Sequence, residues 1–107
     1  MTPALTAPLA LDYIHELSTD VRAGVVLAAD GARLAGPEAL AGPARDLLAG
    51  AGDAAEVEVD VTAGTVYAVR SAHHAIIVAC GPLTLRGLAL FDLRSVLAEL
   101  DGALYAA

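Results

Sequence analysis

The chain has 107 residues, enough for one small domain, and 57% of them are hydrophobic. Its 13 acids against six basic residues, all arginine, give a net charge of −7, which excludes nucleic acid and anionic membrane as main partners because both need a basic surface. One cysteine, Cys80, rules out an internal disulfide, and apolar runs such as "AIIVAC" are too short to span a bilayer.

The opening "MTPALTAPLALDY" has neither a basic region nor a long apolar core, so no secretory signal is expected and the expected location is the cytoplasm. Residues 1–7 read as a loose tail before a single domain over 8–105. From Pro8 the pattern is helical. Leu9, Tyr13, Leu17 and Val21 recur at i+4 with Ala10 and Ile14 beside them, and Gly24 suits the left-handed position that ends a helix.

Next, "GVVLAAD" is apolar at every position from Val25 to Ala29, as in a strand covered on both faces. Asp30-Gly31 supplies a hairpin turn, and "ARLAG" is a short return strand. Pro37-Glu38 opens a second helix with Leu40, Ala44, Leu47, Leu48 and Ala51 as its stripe; Gly42-Pro43 falls inside it and predicts a kink or a late start. "GAGD" ends it at Gly50 to Asp53.

"EVEVDV" alternates strictly. Val57, Val59 and Val61 share one face; Glu56, Glu58 and Asp60 share the other, which predicts a strand with one wet face. Ala63-Gly64 turns the chain into the strand Thr65 to Ser71, and "AHH" turns it again into Ala75 to Cys80, apolar on both faces. An irregular "GPLTLRG" leads to a last helix from Leu90 to about Leu104, with Leu93, Val96, Leu97, Leu100 and Leu104 at helical spacing.

The order is therefore helix, two strands, helix, three strands, helix: an α+β domain. Hairpins link strands one to two, three to four and four to five. Strands one and five, apolar on both faces, must lie inside the sheet. Placing them side by side predicts a five-stranded antiparallel sheet in the order 2-1-5-4-3, with helices packed on it.

No residue cluster points to chemistry. Cys80 follows an apolar strand run and reads as a small core hydrophobe, with no base near it. His73 and His74 read as turn residues, since adjacent histidines diverge and no further ligand sits at metal spacing. His15 reads as a surface residue. Glu56, Glu58 and Asp60 lie in a solvated row. Glycine-rich phosphate loops are missing, so no catalytic, metal or cofactor residue is expected. Arg70, Arg86 and Arg94 are scattered along the sequence.

The leading helix, "RAGVVLAADGARLAG", the helix start "PEAL", the strands "EVEVDVTAGTVYAVRSAHHAIIVACG" and the closing amphipathic helix resemble the Roadblock/dynein light chain family over about Leu9 to Leu100. That resemblance implies a Roadblock or profilin-like sheet and a non-enzymatic homodimer that acts as scaffold or regulator of a small Ras-like GTPase. One branch of the family stimulates GTP hydrolysis in gliding bacteria; others accompany sensor kinases in actinobacterial gene clusters, whose GC-rich bias the lysine-free composition suits. In the family the second helix makes dimer and GTPase contacts.

Interface candidates here are Leu40, Arg45, Leu47 and Leu48 on the second helix and Val57, Glu58, Val59 and Asp60 on the third strand, an edge with no Pro or Lys to block pairing. Like charges facing each other across such an edge predict a dimer that tightens as salt rises. Two other readings stand beside this one. A small-molecule sensor of the profilin or PAS type would need a pocket with convergent polar groups, whereas the inward Ala, Val, Ile and Leu suit a filled core. A dimerisation module without a GTPase partner is the third.

Overall fold

The computed structural model describes residues 5–18 and 20–103. Its elements are α1 (Ala7–Leu17), β1 (Val21–Ala28), β2 (Arg33–Ala35), α2 (Glu38–Gly50), β3 (Glu56–Val61), β4 (Gly64–Arg70), β5 (His74–Cys80) and α3 (Arg86–Ala103). One antiparallel sheet runs in the order β2-β1-β5-β4-β3, as the burial pattern predicted.

Alternation along the strands sorts the core into two faces. Val26, Tyr67, Val69, Ile76 and Val78 point to the side covered by α1 and α3. Val25, Leu27, Ala68, Ala75 and Ile77 point to the side of α2. β1 and β5 are buried on both faces because each lies between two strands and two helix layers.

The first helix differs from expectation at its end and on its buried face. Thr6 caps it by accepting the Leu9 N–H at 3.4 Å, and Leu5 and Ala7, placed in the tail by the sequence, pack against the core. The helix stops at Leu17, and Val21, Ala23 and Gly24 pair with Cys80, Ala79 and Val78. A full ladder with the central strand outweighs the helical periodicity that Val21 completes. The buried residues are Ala10, Leu11 and Ile14, while Leu9, Tyr13 and Leu17 are exposed. Gly24 explains this choice. A Cβ there would lie 2.7 Å from Leu11 Cδ1, so the glycine lets α1 seat on the sheet through Leu11. Gly24 is thus a strand residue and not a helix stop.

Gly31 has φ +87° and makes the turn between β1 and β2, with Asp30 Oδ1 accepting the Ala32 N–H at 2.9 Å. The second helix runs from Glu38 through Pro43 to Gly50, so its start is not delayed as one alternative expected. Ala39, whose carbonyl has no proline N–H to accept, is exposed, so water can satisfy it. Ala41 and Ala44 are the buried residues of α2 and allow close approach to β1. The last helix begins at Arg86, four residues before the expected Leu90; Ala89, Leu90, Leu93, Val96, Leu97 and Leu100 form its buried stripe. Leu104, expected in that stripe, lies outside the described residues, as do residues 1–4 of the expected tail. Among the described residues, no helix is long and apolar enough to cross a membrane.

Candidate functional site

Small alanines anchor α2 on the β1 side of its face, and the sheet face beyond is left uncovered. An open apolar cleft of about 240 Å³ results, lined by Ala23, Val25, Leu40, Pro43, Ala44, Leu47, Val59, Val66, Ile77 and Ala79. The inward residues therefore do not fill this side as expected. β3 forms one wall. Among the described residues it pairs only with β4, from Glu56↔Val69 to Val61↔Gly64, and its other edge is unpaired. Val57 packs against the α2-side core, but Val59 is 38% and Val61 48% exposed. This is apolar surface next to a row of unpaired backbone groups, a combination that invites another chain.

The eight interface candidates do not form one patch. Leu40, Leu47 and Val59 meet in the cleft. Arg45 and Leu48 line a separate, more polar basin at the far end of α2, with Asp30, Gly31, Arg70 and His74. There Arg45 Nε donates to the Gly31 carbonyl at 2.6 Å. Glu58 and Asp60 lie on the opposite face of the sheet from the valines. Asp60 accepts from the Thr65 hydroxyl at 3.3 Å, and Glu58 accepts from Arg86 Nε at 2.6 Å. One register down, Glu56 accepts from Arg94 Nη1 at 3.1 Å.

These pairs revise the acidic row. The face reads as solvated in the sequence, yet α3 lays two arginines along it. Arg86 and Arg94 are eight residues apart on α3, about 12 Å along the axis, while Glu56 and Glu58 are only about 7 Å apart, so it is the long guanidinium arms that bring the pairs together. The guanidinium of Arg86 is held still more firmly protonated, chiefly by its hydrogen bond to Glu58. The predicted tightening of a dimer with salt therefore loses its basis, since two of the three acids carry a counter-charge.

Arg70 is likewise spent within the fold. It donates to the carbonyls of Ala54 at 2.7 Å and Leu48 at 3.2 Å, and to that of Gly52, which ties the C-terminal end of α2 to the sheet. His74, expected in a turn, is the first residue of β5 and is buried; its Nδ1 lies 2.6 Å from Asp101 Oδ1 of α3. Ser71 makes the turn instead, its Oγ accepting the N–H groups of His73 and His74, each at 3.2 Å. Cys80 is buried, and burial pushes its thiol up from the ordinary value, with a hydrogen bond from Thr84 opposing. Among the described residues, no group of three or more His, Cys, Asp or Glu is placed to hold a metal ion.

A five-stranded antiparallel sheet in this order, with one helix on one face and two on the other, defines the helix-covered sheet class shared by profilins and Roadblock domains. Within that class the chain has the Roadblock fold. It is similar to a Roadblock/LC7 domain from Streptomyces avermitilis, at 13% identity and a TM-score of 0.80, over 94% of this chain and 99% of that one. It is similar to MglB of Myxococcus xanthus at 11% identity and a TM-score of 0.71, over 92% and 94% of the two chains. Profilin of Schizosaccharomyces pombe follows at 12% identity and 0.66, over 91% and 98%. No family model matches the sequence. No curated protein matches it either.

Proposed function

We infer that the chain is a non-enzymatic, cytoplasmic homodimer that serves as scaffold and regulator of a small Ras-like GTPase in a bacterial signalling system. One observation carries the reading: the open apolar cleft of Leu40, Leu47 and Val59 beside the unpaired β3 edge. A second copy covering this surface would pair the edge strand and bury valine and leucine side chains together. Burial of apolar area at roughly 25 cal/mol per Å² is the main drive for such an association. The likeness of the fold to Roadblock domains and MglB supports a regulatory role over an enzymatic one. A sensor-kinase complex is a further partner that the family resemblance suggests. The lining of the cleft contains no polar side chain to orient a small molecule, which favours a protein surface over a ligand pocket.

The test is a pull-down of purified small GTPases from the source organism, each loaded with GTP or GDP, alongside light scattering at micromolar concentration. Retention of one GTPase in one nucleotide state by a dimer is the expected result. A dimer that retains no GTPase in either state reduces the reading to a dimerisation module. A clean 10.8 kDa monomer removes it.

A further inference from the structure

The layer opposite the cleft displays apolar surface that the fold does not use. Leu9, Tyr13 and Leu17 form an exposed i+4 row on α1. α3 lies antiparallel beside it. Leu17 shares a groove with Leu85 and Leu88 at one end, while Leu5 and Ala7 meet Leu100 and Ala103 at the other. Leu83 is 84% exposed, Leu85 67% and Leu88 60%.

This display is built rather than loose. The connection before α3 is pinned from β1's side: Asp20 Oδ2 accepts the Leu83 N–H at 2.7 Å and the Thr84 hydroxyl at 3.4 Å, and the Asp20 carbonyl accepts the Gly81 N–H at 2.9 Å. Two leucines are thus held outward on an ordered loop, which reduces what a partner must order on binding.

The charges around the groove are mostly acidic. Asp12 and Glu16 are exposed next to the α1 row, Asp92 lines the groove, and Glu99 lies exposed two turns further along the same flank of α3. Two arginines that could offset them are engaged elsewhere, since Arg86 and Arg94 reach across the other flank of α3 to Glu58 and Glu56. Arg22 stands at the groove's end, 3.9 Å from Asp20, itself a lining residue, and offsets that one acid. A second copy would set this acidic rim against itself, and an anionic bilayer would be repelled. A groove between two antiparallel helices is where a third helix packs. We propose that the α1–α3 groove is a docking site for a cationic amphipathic helix of another protein, its apolar stripe on Leu17, Leu85 and Leu88 and its basic flanks on Asp12, Glu16 and Asp92. The sheet separates this groove from the α2 cleft, so a dimer formed through the cleft would present two such sites.

A fluorescein-labelled peptide of 14 residues, built only from Leu and Lys with Leu at helical i, i+3, i+4 spacing, is the probe for anisotropy titration. Micromolar binding is expected, weakening as salt rises. Leu88→Asp should weaken it at least tenfold, and Phe91→Ser, on the solvent side of the same helix turn, by a smaller factor. Thr62→Asp, which adds the same charge at the β3–β4 turn, should leave binding within twofold. A Leu/Glu peptide of identical pattern, and a Leu/Lys peptide scrambled to lose its stripe, should not bind. Circular dichroism confirms that each variant is folded, as the exposure of Leu88 allows. The proposal is overturned if folded Leu88→Asp and Phe91→Ser proteins both bind like the parent, or if the scrambled peptide binds equally. It is also overturned if the protein alone forms assemblies larger than a dimer that Leu88→Asp dissolves, since the occupant is then another copy.

Discussion

Arg86 of α3 reaches across the sheet to Glu58 of β3, Nε to Oε2 in 2.6 Å, so a strand that reads as a bare acidic edge carries its own counter-charge. In a dimer paired through β3, Glu58 and Glu56 would arrive already neutralised by Arg86 and Arg94. The dissociation constant measured by sedimentation should then change less than threefold between low and high salt. Arg86→Ala should raise it severalfold at low salt and make the dimer tighten as salt is added, because the exposed carboxylates now repel. Strong tightening of the unmodified protein with salt would show that the arginines do not hold these acids in solution.

Cys80 gives a prediction in pH. Burial holds its thiol above the ordinary value of 9.0. A folded-state pKa raised above the unfolded one means that the unfolded chain loses the proton first. Stability is therefore fully present below about pH 9 and declines above it, until the folded thiol itself ionises. Cys80→Ala should flatten that alkaline decline while lowering stability at pH 7 by about 1–2 kcal/mol through lost packing. Urea denaturation at pH 7 and at pH 10 checks both. In the same range, alkylation of the native thiol by iodoacetamide should be far slower than that of the unfolded chain.

The contact between His74 and Asp101 joins the start of β5 to the last turn of α3, with the imidazole side chain 8% exposed. Asp101→Ala removes the acceptor and leaves a buried ring nitrogen unpaired, an expected loss of roughly 1–3 kcal/mol. Asp101→Asn keeps an oxygen in place and should lose less. The two urea midpoints, measured side by side, separate a specific contact from general disturbance of the helix end. Equal midpoints for the two variants would rule out the hydrogen bond as the cause.

How far these features were legible depends on whether a local pattern carried them. The alternation of Glu56 to Val61 fixes the bounds of β3 and the separation of valines from acids, and the doubly apolar runs fix which strands are central. The end of α1 was not legible, because Val21 continues the i+4 row of Leu17 while the pairing that claims it lies on β5, far along the chain. The apolar row on α1 misled for a related reason: the larger side chains point outward, and the small Ala10 with Leu11 and Ile14 seats the helix over Gly24. His74 escaped because its partner, Asp101, is 27 positions away. The roles of Arg86 and Arg94 depend on α3 lying over β4 and β5, within side-chain reach of β3. The cleft itself follows from how α2 sits on the sheet, which no periodicity encodes.

The last prediction separates an interface from a core on neighbouring strands. Val59 of β3 and Val69 of β4 are both valines in the same hairpin, yet Val59 is 38% exposed in the cleft wall and Val69 only 1% exposed under α1 and α3. Val69→Ala removes buried methyl groups and should lower unfolding stability by about 1–3 kcal/mol, with the dimer retained at concentrations where the protein is folded. Val59→Asp leaves the monomer's core intact but places a charge where a second copy would lay its apolar surface. It should convert the protein to monomer at micromolar concentration by light scattering, with the circular dichroism spectrum kept. Because dimerisation itself adds to apparent stability, the urea midpoint of Val59→Asp should also lose its dependence on protein concentration, whereas that of Val69→Ala should keep it. A Val59→Asp protein that stays dimeric places the contact elsewhere on the molecule.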